Sequence, residues 1–142
     1  MLKNIPNILL PELLKILMEM GHGDELVIAD GNFPAATMAK RLVRLDGHGV
    51  PEILEAVLKL LPLDTYDEKP VALMEVVYGD NVKPTIWNDY EKIIKESGES
   101  FNSFGFIERF NFYNRAKEAF AVVATSESAL YANIILKKGV VS

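Results

Sequence analysis

Cysteine is absent from the 142-residue sequence. Its absence excludes disulfide bonds, thiolate catalysis and cysteine-ligated metal, and it fits a reducing cytoplasm, where we expect the protein to reside. The N-terminal segment is interrupted by Pro6 and Pro11 and lacks the charged, apolar and small-residue regions of a signal peptide. No apolar run approaches the ~20 residues of a membrane-spanning helix, so we expect no membrane partner.

Positive charge is also scarce. The 15 lysines and arginines are outnumbered by 20 aspartates and glutamates, which leaves a net charge of -5. Nucleic-acid binding needs clustered lysine and arginine, because the phosphates must be neutralised. The basic residues that do cluster are typical of solvated faces, so we expect no nucleic-acid partner; they are Lys40, Arg41 and Arg44, and Lys137 with Lys138.

The length and composition are those of one globular domain covering residues 1–142, with 49% hydrophobic and 25% charged residues. Apolar periodicity and the positions of proline predict alternating helices and strands, and therefore an α/β fold with helices covering a central sheet. The connection over 61–71 lacks a helix, which predicts some antiparallel pairing and a mixed sheet. The predicted helices are 11–20, 35–40, 50–61, 84–97 and 113–119, and the predicted strands are 25–30, 42–45, 71–78, 105–110, 120–124 and 133–136.

A histidine and an aspartate flank the first predicted strand. His22 lies between Gly21 and Gly23, just before the strand, and Asp30 lies at its carboxyl end, where α/β sheets tend to bind ligands. Histidine both donates and accepts protons near neutral pH, which suits a general acid/base. An exposed histidine after a helix-capping glycine, with an aspartate in a turn, accounts for the same pattern without function.

A second histidine leaves a metal site open as an alternative. Asp46 and His48 flank a glycine, and together with His22 and Asp24 they form a two-histidine, two-carboxylate set. The spacing matches no helical ligand pair, and a solvated turn explains His48 equally well.

Two further segments carry polar groups suited to hydroxyl recognition. Arg109 precedes a run of aromatic residues and offers a fixed fork of donors, although a salt bridge is its simpler role. Tyr131 and Asn133 open the last predicted strand, and asparagine both donates and accepts hydrogen bonds. No dinucleotide fingerprint and no nucleophile motif is present, so proton transfer without a cofactor is the simplest remaining chemistry.

Several segments taken together resemble the RbsD/FucU family of sugar mutarotases, in order and spacing, over essentially the whole chain. The ribose branch tends to have threonine at Gly23 and lacks the aromatic block after Arg109, so the resemblance is to the fucose branch. Gly31 stands where the family often has alanine, and His48 matches no family motif. The matching segments are Pro11-Glu12-Leu13-Leu14, Gly21-His22-Gly23-Asp24-Glu25, Asp30 with Phe33-Pro34, Arg109-Phe110 with Phe112-Tyr113, Arg115-Ala116-Lys117, and 131–140.

The resemblance implies a single three-layer domain with a mostly parallel mixed sheet, and interconversion of the α and β anomers of a free sugar such as fucose, a related hexose or ribose. His22 would be the general acid/base, opening and reclosing the ring, and Asp30, Arg109, Tyr131 and Asn133 would contact the sugar. Asp30 would anchor a hydroxyl or raise the pKa of His22 through its charge. No metal or cofactor is implied.

The family assembles into rings, typically decamers of two stacked pentamers, with sites near subunit boundaries. We therefore expect a homo-oligomer with a monosaccharide as its partner. Two alternatives remain: a non-catalytic sugar-binding accessory of an uptake pathway, and a metal-dependent enzyme using His22, Asp24, Asp46 and His48.

Overall fold

A single six-stranded sheet organises the protein, whose computed structural model describes residues 1–142. The strands are β1 (Glu25–Ala29), β2 (Leu42–Leu45), β3 (Val71–Met74), β4 (Gly105–Ile107), β5 (Ala121–Thr125) and β6 (Ile134–Lys137). Their order across the sheet is β2-β5-β1-β6-β3-β4. The helices are α1 (Pro11–Glu19), α2 (Ala35–Met38), α3 (Val50–Leu58), α4 (Ile86–Glu96) and α5 (Arg109–Glu118).

Helices cover both faces of the sheet. Successive strand residues point to opposite faces. In β1, Leu26 and Ile28 pack with α1, α3 and α4, whereas Val27 and Ala29 pack with α2 and α5. The predicted three-layer α/β architecture is thereby confirmed.

Five strands run parallel, and β6 alone is reversed. It lies between β1 and β3 and pairs antiparallel with both. The mixed sheet is as predicted, but the antiparallel strand comes after β5 and not after the 61–71 connection. The five parallel strands end at one edge of the sheet, here named the carboxyl edge, where β6 begins. The opposite edge is named the amino edge.

Two of the predicted strands are longer than the observed ones, and hydrogen bonds in the structure explain where each strand ends. The strand predicted over 105–110 stops at Ile107, because the Glu108 side chain accepts hydrogen bonds from the backbone N–H groups of Phe110 and Asn111 and starts α5 there. The strand predicted over 71–78 stops at Met74, and further on the backbone N–H of Val77 donates to a side chain and not to a neighbouring strand. No helix has the length and apolar character needed to cross a membrane.

Candidate active site

A cavity of about 410 Å³ opens at the carboxyl edge. Its size is within the range of ~300–1,000 Å³ typical of small-molecule sites. The four predicted sugar contacts, Asp30, Arg109, Tyr131 and Asn133, all line it, although they come from three widely separated chain segments. The remaining lining residues are Asn32, Phe33, Met74, Val77, Asp80, Tyr113 and Leu130.

Asp30 and Asn133 form the buried side of the cavity. They meet because β1 and β6 are neighbours, and the backbone N–H of Asp30 donates to Oδ1 of Asn133 at 2.7 Å. The amide nitrogen of Asn133 makes no hydrogen bond within the protein and is available to a ligand. Burial raises the pKa of the Asp30 carboxyl, against backbone hydrogen bonds such as the one that Oδ1 accepts from Asn32 at 3.0 Å.

Tyr131 and Arg109 stand on the exposed side. Tyr131 has a left-handed backbone (φ 56°), which few residues other than glycine adopt, and its hydroxyl donates to Asp80 at 2.6 Å. Arg109 begins α5, and its Nε donates to the hydroxyl of Tyr113 one turn later, at 3.2 Å. One of its five N–H donors is used there, so the guanidinium keeps others for a ligand.

His22 lies at the other end of the sheet. It precedes β1, at the amino edge, whereas Asp30 follows β1. Because a strand rises ~3.3 Å per residue, the five steps from Glu25 to Asp30 alone separate the two ends of β1 by about 16 Å. Within one chain, therefore, His22 does not reach the cavity, and the expectation that Asp30 tunes the pKa of His22 is wrong for a single subunit.

The partner of His22 is Asp64, a residue that the sequence did not single out. Nε2 of His22 lies 3.0 Å from Oδ1 of Asp64, which also accepts from the backbone N–H of Tyr66. Burial opposes ionisation of the Asp64 carboxyl, but the hydrogen bonds from His22 and Tyr66 outweigh it and hold the pKa below its usual value. No motif or spacing links Asp64 to His22, so only their contact in the fold reveals the pair.

The ionised state of Asp64 determines the tautomer of a neutral His22. A carboxylate only accepts hydrogen bonds, so Nε2 carries the hydrogen and Nδ1 keeps the lone pair. The ring is half exposed, next to the ring of Tyr66 at 5.4 Å between centroids. His22 and Asp64 thus form a dyad with a proton-accepting nitrogen at the protein surface.

The four residues of the alternative metal set do not come together. His22 and Asp24 precede β1 at the amino edge, whereas Asp46 and His48 follow β2 at the carboxyl edge. His48 pairs with Glu52 at 3.0 Å, and Asp46 pairs with Arg44 at 2.9 Å. No group of three or more histidine, aspartate or glutamate side chains is arranged to hold a metal ion.

Comparison with known proteins gives matches over the full chain. "Fucose mutarotase" of Homo sapiens is 53% identical over 147 aligned positions, covering 99% of this chain and 95% of the relative. The crystal structure of fucose mutarotase from Streptococcus pneumoniae in complex with L-fucose is 50% identical and superposes with a TM-score of 0.94, covering 99% of this chain and 100% of the other.

A more distant solved structure, Bacillus subtilis RbsD complexed with D-ribose, is 25% identical with a TM-score of 0.76, and each chain is covered completely. The expected likeness to the fucose branch is therefore confirmed. Residues 3–141 match the RbsD / FucU transport protein family. With its fold and its relatives in agreement over the whole length, the chain belongs to the RbsD / FucU family.

Proposed function

We propose that the protein is an isomerase that interconverts the α and β anomers of L-fucose. The observation that carries the proposal is the cavity at the carboxyl edge, in which Asp30, Arg109, Tyr131 and Asn133 gather in a chain that matches fucose mutarotases from end to end. These side chains offer charged and neutral donors and acceptors around a sugar-sized space, as hydroxyl recognition requires.

The reaction needs only proton transfer. The pyranose ring opens when the anomeric hydroxyl loses a proton and the ring oxygen gains one, and it recloses on either face of the aldehyde. His22 takes the first proton on Nδ1, and Asp64 stabilises the imidazolium that forms, because its carboxylate accepts from Nε2 at 3.0 Å. The imidazolium then donates a proton to the ring oxygen as the ring opens, and reclosure reverses the two transfers, so that the histidine ends unchanged and no cofactor is required.

The cavity residues bind and orient the sugar. Arg109 donates to hydroxyls and stabilises negative charge that develops on oxygen, and the Asn133 amide donates beside it. Asp30 anchors a hydroxyl through its carboxyl, which burial favours in the protonated form. Phe33 and Met74 supply apolar surface for the carbon side of the ring.

A complete site requires two subunits. His22 and the cavity lie at opposite edges of one sheet, so we propose that the His22–Asp64 dyad of one subunit faces the cavity of its neighbour. Both surfaces expose apolar side chains suited to burial: Tyr66, 83% exposed, beside the dyad, and Tyr78, fully exposed, near the cavity. Leu130 and Phe110 are further exposed apolar residues on the cavity side.

Contact between opposite edges is head to tail. Such contacts close into rings when the rotation between subunits allows it, which agrees with the expected ring assembly. We propose a homo-oligomer, with a decamer of two stacked pentamers as its form, working in the cytoplasm on a monosaccharide. Native mass spectrometry measures the subunit number directly.

Saturation-transfer NMR on L-fucose at equilibrium tests the activity. One anomeric proton is irradiated, and transfer to the other is measured with and without protein. We expect transfer only with protein, and its loss in His22→Ala with the fold retained. If the rate of transfer is the same with and without protein, the proposal is wrong. The same measurement on D-galactose and D-ribose sets the substrate range.

The main alternative is a sugar-binding accessory without catalysis, which membership of the RbsD / FucU transport protein family favours. It predicts chemical-shift changes on binding of L-fucose with no faster exchange between the anomers. The NMR experiment therefore separates the two functions.

A further inference from the structure

The hydroxyl of Tyr131 is already engaged before any ligand arrives. It donates its proton to Oδ2 of Asp80 at 2.6 Å, and its oxygen accepts from the backbone N–H of Val77 at 3.2 Å. A phenol has one proton to donate, and a carboxylate is a strong acceptor for it. What the Tyr131 oxygen can still offer to the cavity is acceptor capacity.

The backbone of Tyr131, like its hydroxyl, is fixed by hydrogen bonds. Its left-handed conformation is uncommon for an aromatic residue and needs support from its surroundings. Two side chains of α4 give that support: Trp87 Nε1 donates to the Tyr131 carbonyl at 2.8 Å, and the Tyr90 hydroxyl donates to the Ala132 carbonyl at 2.7 Å. With the backbone fixed by α4, the contact with Asp80 decides the direction of the phenolic proton.

We propose that Asp80 is a positioning residue of the sugar site, which binds the phenolic proton of Tyr131 and thereby presents the Tyr131 oxygen to a sugar hydroxyl as an acceptor. This inference rests on the proposed function. Arg109 and the Asn133 amide are donors on the same cavity, so an acceptor at Tyr131 matches the proton that a sugar hydroxyl itself donates. Donation to Asp80 also raises the pKa of Tyr131, which keeps the phenol protonated.

The variant Asp80→Asn reverses the direction of the hydrogen bond between residue 80 and Tyr131 while leaving both side chains in place. Oδ1 of Asp80 accepts from the backbone N–H of Val82 at 3.3 Å, and an asparagine oxygen preserves that turn. Its NH₂ group then replaces Oδ2 and donates to Tyr131, so the hydrogen bond reverses and the phenol turns its proton to the sugar. We expect kcat/KM for anomer exchange, and the affinity for L-fucose, to fall roughly tenfold, the size of one hydrogen bond between neutral groups.

A double-mutant cycle with Tyr131→Phe tests whether Asp80 acts through Tyr131. We expect Asp80→Asn to cause no further loss in the Phe background. Asp89→Asn, an exposed carboxylate on α4, is the matched control and should behave as the wild type. In protein labelled with ¹³Cζ-tyrosine, the phenolic pKa of Tyr131 should fall in Asp80→Asn.

The outcomes are distinct. Wild-type affinity and exchange in Asp80→Asn overturn the inference, and so does an equal loss in the Phe background, which would place Asp80 on the sugar itself. If the wild type binds L-fucose without exchanging it, the proposed function fails, while the affinity cycle still supports or overturns the role of Asp80. Absence of any L-fucose binding overturns both.

Discussion

His22 and Asp64 are 42 residues apart in the sequence, and 3.0 Å separates Nε2 of the histidine from Oδ1 of the aspartate. The carboxylate is buried, whereas the imidazole is half exposed. A buried anion behind an exposed ring fixes the orientation of the ring and the nitrogen that carries the hydrogen, as acid/base catalysis requires. The dyad lies at the amino edge, away from the cavity of its own chain.

Removing the charge of Asp64 should slow catalysis without disturbing the fold. Asparagine keeps an oxygen for Nε2 of His22 and for the backbone N–H of Tyr66, but it no longer stabilises an imidazolium. We expect Asp64→Asn to lower the exchange rate by about ten- to a hundredfold, a part of the ~10²–10⁴-fold that a general acid/base contributes. Asp67→Asn, in the same loop but paired with Lys137 at 2.6 Å, is the control. Full activity in Asp64→Asn would exclude a role for the charge.

Two inactive variants should restore activity when they assemble together. His22→Ala removes the dyad and Arg109→Ala damages the cavity, so each homo-oligomer should be inactive. If each site combines two subunits, random mixing leaves about a quarter of the interfaces with both residues intact. We expect co-expressed, co-purified variants to show a comparable fraction of wild-type exchange. No recovery in verified mixed oligomers would show that each chain carries its own complete site.

The ionised carboxylate of Asp30 should lower the free energy of unfolding at neutral pH. Burial raises the pKa of its carboxyl in the folded protein, so the charged form is disfavoured on folding. The cost is fully present above the folded-state pKa, decreases as the pH falls through it, and vanishes below the unfolded-state pKa of ~3.9.

We therefore expect Asp30→Asn to raise the melting temperature at pH 7 by about 2–5 °C and to lose this advantage toward pH 3.5, while sugar exchange falls. Calorimetry across the pH range measures the difference. Asp46→Asn is the matched control, because the ion pair with Arg44 lowers the pKa of Asp46 and no stabilisation is expected. Equal melting temperatures for wild type and Asp30→Asn at pH 7 would contradict the argument.

Two phenylalanines of the α5 aromatic block should behave in opposite ways. Phe112 is fully buried against the sheet, whereas Phe110 is 64% exposed near the cavity. We expect Phe112→Ala to destabilise the subunit by ~3–5 kcal/mol, as loss of a buried phenylalanine typically does. Phe110→Ala should leave subunit stability nearly unchanged and weaken assembly. Denaturant unfolding and native mass spectrometry measure the two effects, and intact oligomers in dilute Phe110→Ala would remove Phe110 from the interface.

Local patterns were enough to predict most elements of the fold. Apolar periodicity and proline positions gave β1 and β2 nearly to the residue, because these signals depend on near neighbours. They failed at 108–110, where the predicted strand extends past β4 because its aromatic residues resemble a strand, whereas Glu108 caps a helix. The four cavity residues Asp30, Arg109, Tyr131 and Asn133 were found through the family resemblance together with their place at the ends of elements.

The side-chain contacts that complete the site could not be predicted from the sequence. Asp64 and Asp80 follow no spacing rule, since their partners lie 42 and 51 residues away in other loops. Which loops meet at an edge depends on the strand order, and a period of two or 3.6 residues carries no information about it.

By itself, the sequence determined the single α/β domain, the absence of cysteine chemistry, and the polar residues at the ends of β1 and β6. Only the tertiary structure decided that Asp30 joins Asn133 and that His22 joins Asp64, and that the two pairs lie at opposite edges. The physical reason is that β6 inserts in reverse between β1 and β3, which brings its first residue to the carboxyl edge and its last to the amino edge.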